Sequence, residues 1–128
     1  MKLLIDTHLL LWASDRPERL TKQATRLLDD PDNALVFSAA SIWEVAIKQN
    51  LNRSDFQADA RLLRRGLLDN GYEELPVTGL HAVALDSLPP LHSDPFDRIL
   101  IAQAQAEGLL LLTSDERVAQ YGSVVRKV

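Results

Sequence analysis

Short apolar runs alternate along this chain with longer stretches whose apolar residues recur at helical spacing. The apolar runs cover residues 2–6, 35–39, 74–77, 109–113 and 124–128, and the helical stretches cover 7–14, 20–30, 39–49, 54–69, 78–87 and 95–107. Such alternation is typical of βα units that build a mostly parallel sheet covered by helices. We therefore predict an α/β fold, with the charged run 124–128 at a sheet edge.

Length and composition narrow the class of protein further. With 128 residues, the chain suits one compact domain, and 46% hydrophobic with 25% charged residues is an ordinary globular mixture. The absence of cysteine excludes disulfides, zinc–thiolate sites and thiol catalysis. Apolar runs are too short to cross a membrane, and Asp6 interrupts the segment where a signal peptide would be apolar. We expect a cytoplasmic protein that does not contact the membrane.

Acidic residues fall where the predicted strands end or the following helices begin. Asp6 ends the first run, Glu44 lies in the helix after the second, Asp94 and Asp97 open the helix 95–107, and Asp115 follows the run 109–113. The carboxyl ends of parallel strands meet at one edge of a sheet, where ligands bind. The spacing therefore directs carboxylates from four segments toward one edge.

Each of these acids also has a purely structural interpretation. Asp6, Asp94 and Asp115 are suited to cap helices, and Asp94-Pro95 followed by Asp97 is a good helix start without any function. Glu44 is interpretable as a solvated helix residue. Only the convergence of these acids on one site would favour a catalytic or metal-binding role.

Convergence of four carboxylates would be electrostatically expensive. Two unit charges ~5 Å apart repel by roughly 3 kcal/mol at an effective dielectric of about 20. Four such groups reach a repulsion on the order of 10 kcal/mol, comparable to the stability of a whole domain, ~5–15 kcal/mol. Protons or a cation must then bind, and oxygen ligands without cysteine favour Mg²⁺ or Mn²⁺. Such a metal would activate water for phosphoryl chemistry.

The net charge of −4 argues against a nucleic-acid partner only at first sight. Setting aside the four acids of the predicted site leaves 14 acidic and 14 basic side chains. Arginine suits phosphate recognition, and Arg61, Arg64 and Arg65 cluster on one predicted helix. This cluster is a candidate nucleic-acid contact, and the alternative is a solvated helix face.

Four segments follow one another along the chain: LLIDTHLLLW, SAASIWEVAIK, LPPLHSDPFDRILIAQA and LLLLTSDE. In order and spacing they resemble the PIN-domain ribonucleases, in particular the VapC-type toxins of bacterial toxin–antitoxin pairs, and the resemblance runs from residue 2 to about residue 122. The resemblance implies a three-layer α/β/α domain over residues 1–128, with a mostly parallel sheet of four to five strands. It also implies Mg²⁺- or Mn²⁺-dependent endoribonuclease activity.

The resemblance assigns site roles residue by residue. Asp6, Glu44, Asp97 and Asp115 match the family's acids in order, and Asp115 matches the least constant of them. Asp6 and Asp97 are expected to hold the metal directly, whereas Glu44 and Asp115 act directly or through water. Asp94 is expected to be a helix cap.

Four further residues are expected to support the site. Hydroxyls of Thr7, Thr113 and Ser114 are expected to hold carboxylates or waters. Arg98 is expected to meet phosphate or to bridge an acid. The family further implies a homodimer and a small cognate antitoxin across the active groove, with the helices 20–30 and 54–69 as its walls.

Two other functions stay open at this point. A metal-free ribonuclease would use histidines as general acid and base, and His8 and His92 lie beside predicted acids. A non-catalytic binding module is the other possibility. Apolar residues outside the acids are expected in the core, among them Trp12, Trp43, Leu62, Leu63, Leu67 and Leu68.

Overall fold

The sheet has five parallel strands within the residues that the structure, a computed structural model, describes, namely 1–51 and 58–128. The strands are β1 (Lys2–Ile5), β2 (Ala34–Ser38), β3 (Glu73–Leu75), β4 (Leu110–Thr113) and β5 (Val125–Lys127). Their order is β3-β2-β1-β4-β5, with Leu3 of β1 opposite Leu35 of β2 and Leu110 of β4. The parallel sheet and the charged edge strand β5 confirm the predicted fold class.

Helices cover both faces of the sheet. They are α1 (Thr7–Asp15), α2 (Lys22–Asp29), α3 (Ala39–Asn50), α4 (Ala60–Asp69), α5 (Gly79–Ala84), α6 (Pro95–Glu107) and α7 (Glu116–Ala119). Short 3₁₀ turns occupy 17–19, 85–87 and 122–124. The helices α1–α4 pack on one face and α5–α7 on the other, which gives the predicted three layers.

Side-chain alternation along β1 divides the core between the two faces. Leu3 and Ile5 pack with the buried leucines of α1, and Leu4 packs with Leu100 and Ile101 of α6. Because both faces are buried, the strand is apolar throughout, as expected for the centre of a parallel sheet.

Helix ends follow the predicted caps. Thr21 accepts a hydrogen bond from the Ala24 amide, and Asp94 accepts from the amides of Phe96 and Asp97. Gly108 ends α6 in the left-handed conformation, at φ 68°, which glycine adopts without steric strain. The local sequence thereby fixes where α6 begins and therefore where Asp97 lies.

Several predicted boundaries differ from the structure. Within the stretch 20–30 the helix begins at Lys22, directly after the predicted cap Thr21. Within 78–87 the α-helix ends at Ala84 and a 3₁₀ turn follows. The predicted strand 74–77 lies at 73–75, since Pro76 has no amide to continue the ladder. The helix predicted over 54–69 is observed as α4 with Asp59 as its cap, whereas the predicted start at Ser54 lies outside the described residues.

Some predicted core positions are wrong. Trp43 is 61% exposed, because α3 turns Ser41, Glu44 and Val45 inward instead. Leu62 and Leu68 are exposed on α4, while Leu63 and Leu67 are buried and Trp12 is half-buried against the core. Among the described residues, no helix is long and apolar enough to cross a membrane.

Candidate active site

Asp6 lies at the carboxyl end of the central strand β1, where its carboxylate has two fixed hydrogen bonds. Oδ1 accepts from the Leu9 amide at 3.2 Å and so caps α1. Oδ2 accepts from the Thr113 hydroxyl at 2.6 Å. Asp6 is buried, and burial raises its pKa despite these hydrogen bonds. Asp6 therefore caps α1, as predicted, and the same carboxylate remains suited to bind a cation.

Thr113, the last residue of β4, connects Asp6 with Asp115. Its hydroxyl donates to Asp6 and accepts from the Asp115 amide at 3.0 Å. The Asp115 carboxylate in turn accepts from the Arg117 amide at 2.8 Å and caps α7. The adjacent ends of β1 and β4 thus hold two of the predicted acids in a single hydrogen-bonded chain.

Glu44 is buried on α3, which excludes the solvated position considered for it. Its Oε2 pairs with Lys48 Nζ at 2.7 Å, one helical turn further on. Its Oε1 is buried without a hydrogen-bond partner among the described residues. A buried carboxylate oxygen with no donor is strongly disfavoured, so this atom is suited to contact a cation.

Asp97, in the first turn of α6, is electrostatically coupled to the other acids. Its Oδ2 lies 2.7 Å from His92 Nε2. Burial, the largest cause, raises the pKa of Asp97 to about 6, and the charges of Asp94, Asp6 and Glu44 add to the increase. The hydrogen bond from His92 opposes it. Asp6 and Glu44 are therefore close enough to Asp97 for their charges to raise its pKa.

Asp97 and Asp115 also lie close to the imidazole of His92. One potential ligand atom each from His92, Asp97 and Asp115 lies within 4.8 Å of the others. Asp6 and Glu44 do not belong to this group, although their charges reach Asp97. The carboxylates of the group and the orphaned Glu44 oxygen are the type of ligand that a hard divalent cation such as Mg²⁺ or Mn²⁺ prefers.

The residues predicted to support the acids have different surroundings. Thr113 contacts Asp6 directly, whereas the Thr7 hydroxyl donates to Ser41 Oγ at 2.8 Å and so joins α1 to α3. Ser114 is half-buried between Thr113 and Asp115.

Two of the four arginines predicted to meet phosphate are engaged within the protein. Arg98 donates to the carbonyls of Pro89 and His92, so it fastens the loop before α6. Arg64 makes two hydrogen bonds to Glu74, at 2.7 and 2.9 Å. Arg61 and Arg65 are exposed on α4.

The sequence-based predictions lack three contacts of the site. The ion pair of Glu44 with Lys48 has the four-residue spacing of a helical pair, which a local rule could have found. The contact of Tyr121 with the loop before α6 has no local signal. His92 lies beside a predicted acid as expected, and its partner is Asp97.

A large cavity lies away from these acids. It has a volume of about 1000 Å³ between α1, α2 and α4, and its lining includes Leu11, Trp12, Leu28 and Leu62. Two of these helices, α2 and α4, lie in the stretches predicted to wall a partner groove. Since none of the four acids lines it, this cavity is distinct from the carboxylate site.

The chain is thus a three-layer α/β/α domain with carboxylates at the carboxyl ends of its central strands β1 and β4. The PIN domain model matches residues 3–124, so the chain belongs to the PIN domain family. It is 29% identical over 120 residues to Ribonuclease VapC22 of Mycobacterium tuberculosis, covering 92% of this chain and 90% of that protein.

Solved structures share the fold at low sequence identity. VapBC2 from Rickettsia felis, bound to a promoter DNA fragment, matches with a TM-score of 0.74 and 13% identity, over 99% of this chain and 98% of that chain. Mycobacterium tuberculosis VapC20, described as a Sarcin-Ricin loop cleaving toxin, matches with a TM-score of 0.66 and 16% identity, over 94% and 95%. These likenesses support the fold.

Proposed function

We propose that this protein is a VapC-type toxin: a single-domain, Mg²⁺- or Mn²⁺-dependent endoribonuclease that acts on cytoplasmic RNA. The observation that carries the proposal is the orphaned Oε1 of buried Glu44, a residue whose charge, with those of Asp6 and Asp94, raises the pKa of Asp97. A bound cation would offset this repulsion. Membership of the PIN domain family and the likeness to a protein named as a ribonuclease support RNA as the substrate.

The four acids divide the work of the proposed reaction. A bound divalent cation would lower the pKa of the attacking water and stabilise charge on the scissile phosphate. Asp6, Asp97 and Glu44 would hold the cation, and Thr113 fixes the orientation of the Asp6 carboxylate. Asp115 would orient the water. Because water, not the 2′-hydroxyl, attacks, the products would carry 5′-phosphate and 3′-hydroxyl ends.

Removal of divalent ions tests this mechanism against a histidine-based one. We expect excess EDTA to abolish cleavage of a labelled RNA, and added Mg²⁺ or Mn²⁺ to restore it. A ribonuclease using His8 and His92 as acid and base would remain active in EDTA, and its products would have 2′,3′-cyclic phosphate ends. A binding module would cleave under neither condition.

The proposed partners are a cognate antitoxin and a second copy of the chain. The cavity between α1, α2 and α4 is large enough for side chains of an antitoxin segment, and Leu62 at its rim is exposed. On α5, Leu80 and Val83 are each 67% exposed, one helical turn apart. Exposed apolar pairs of this kind favour an interface.

Two substitutions separate these surfaces. We expect Leu80→Glu to convert a homodimer to a monomer, because it places a charge within the apolar surface of α5. Light scattering after size-exclusion chromatography would measure the mass. Leu62→Glu on α4 is the matched control, since it leaves α5 intact and is expected to weaken antitoxin binding only. A dimer that persists in Leu80→Glu would exclude α5 as the interface.

A further inference from the structure

The loop before α6 carries His92 and is fastened from two directions. Tyr121, after α7, accepts a hydrogen bond from the His92 amide at 3.1 Å and donates one to the Pro89 carbonyl at 2.8 Å. Arg98, on α6, donates to the same Pro89 carbonyl at 3.2 Å and to the Tyr121 hydroxyl at 3.2 Å. The backbone of His92 is therefore held by two residues outside the acid cluster. We use this name for the four acids Asp6, Glu44, Asp97 and Asp115.

The imidazole of His92 is also fixed in place, by burial and by a hydrogen bond. Its side chain is almost fully buried, and Nε2 lies 2.7 Å from Asp97 Oδ2. When Asp97 is ionised, its carboxylate can only accept hydrogen bonds, so Nε2 then carries the proton in this contact. One oxygen of Asp97 is thereby occupied, and the carboxylate plane is set by a rigid donor.

We propose that His92 is a positioning residue of the metal site, which orients Asp97 so that its Oδ1 faces the cation. This inference rests on the proposed function, because it assumes that Asp97 is a ligand. Outer-sphere donors of this kind fix ligand geometry, and their loss typically weakens metal binding about 10–100-fold. Arg98 and Tyr121 act one step further out, by holding the loop that presents the imidazole.

A second buried histidine distinguishes this role from simple structural support. His81 is also buried, and its Nε2 lies 3.0 Å from a carboxylate oxygen of Glu107. Its Nδ1 accepts from the Thr78 amide, which starts α5. Glu107 is at the far end of α6 from Asp97. His81 therefore matches His92 in burial and in pairing, but it contacts none of the four acids.

Direct titration of the full chain with Mn²⁺ and with Mg²⁺ by calorimetry tests the proposal. We expect His92→Ala to lower the affinity for both ions about 10-fold or more. We expect His92→Gln, whose amide can donate to Asp97, to recover most of that affinity. His81→Gln is the matched control: it is expected to lower the melting temperature and to leave the affinity of the folded protein unchanged. Should His92→Ala fail to fold, Tyr121→Phe carries the same test, with a smaller loss expected.

The outcomes separate this inference from the proposed function. Unchanged affinity in a folded His92→Ala variant, with binding lost in Asp97→Asn, would overturn the role of His92 and leave the metal site standing. A His92→Gln variant that loses Mn²⁺ but keeps Mg²⁺ would show the imidazole to be a ligand itself, which also overturns the positioning role. Failure of the unmodified protein to bind either ion would remove the proposed function as well.

Discussion

RNA cleavage is expected to fall on the order of 1,000-fold when Asp6 is replaced by Asn, equivalent to about 4 kcal/mol of activation free energy. Asn can still accept from the Leu9 amide through Oδ1, so the start of α1 is preserved. What is lost is the negative charge beside Thr113, at the centre of the acid cluster. Initial rates on a fluorogenic RNA would measure the loss, and growth after induced expression would show relief of toxicity.

Asp59→Asn provides the control for this substitution. Asp59 is likewise a helix cap, and its Oδ1 accepts from the amides of Arg61 and Leu62 at the start of α4. The same change of side chain is therefore made at a cap outside the acid cluster, and we expect cleavage to be unaffected. Full cleavage by Asp6→Asn would refute the assignment of Asp6.

Removing the charge of Asp97 is expected to stabilise the metal-free protein at neutral pH. The pKa of Asp97 is about 6 in the folded chain, above its ordinary value of 3.8, because the carboxylate is buried near other acids. An ionised Asp97 therefore disfavours the folded state above pH 6, and this penalty vanishes below about pH 4. We expect Asp97→Asn to raise the free energy of unfolding by about 2 kcal/mol, on the order of 5 °C in melting temperature.

The stability difference between the unmodified protein and Asp97→Asn is expected to depend on pH. As pH falls from above 6 toward 4, the metal-free protein gains stability from protonation of Asp97, whereas Asp97→Asn does not. Thermal melts in EDTA over that range should show the two proteins converging at acid pH. A lower melting temperature for Asp97→Asn at neutral pH would indicate that the ionised carboxylate supports the fold.

Addition of Mn²⁺ should reverse the order of stability. A ligand that binds only the folded state stabilises it by about 2.7 kcal/mol at a hundred times its Kd. We expect the unmodified protein to gain this increment at neutral pH and Asp97→Asn to gain little. Equal gains in both proteins would mean that Asp97 is not a ligand.

Local rules in the sequence predicted the parts of the molecule that depend on neighbours along the chain. The Asp94-Pro95 helix start, the Thr21 cap and the glycine at 108 all act within one helical turn, and all are observed. The strand-end rule placed Asp6 and Asp115 at one edge because it depends only on strand direction. These rules were sufficient to propose the acid cluster.

Contacts between distant segments could not be read in the same way. Arg98 follows Asp97, and this position predicted a contact with phosphate or with an acid. In the structure its guanidinium donates hydrogen bonds to carbonyls of the loop before α6. The face of α3 that packs inward could not be predicted either, because the sequence does not show that Glu44 points into the protein and Trp43 away from it. The partnership of Tyr121 with the His92 amide spans 29 residues and has no local pattern.

The hydrogen bond between Asp6 and Thr113 joins positions 107 residues apart in the chain. During synthesis the amino-terminal part emerges first, so Asp6 is outside the ribosome long before its partner strand has been translated. A nascent chain without β4 has neither the Thr113 hydroxyl nor Asp115. A polypeptide that has not yet been extended as far as Asp115 therefore lacks two members of this hydrogen-bonded chain, and the end of β1 acquires them only after β4 has been made.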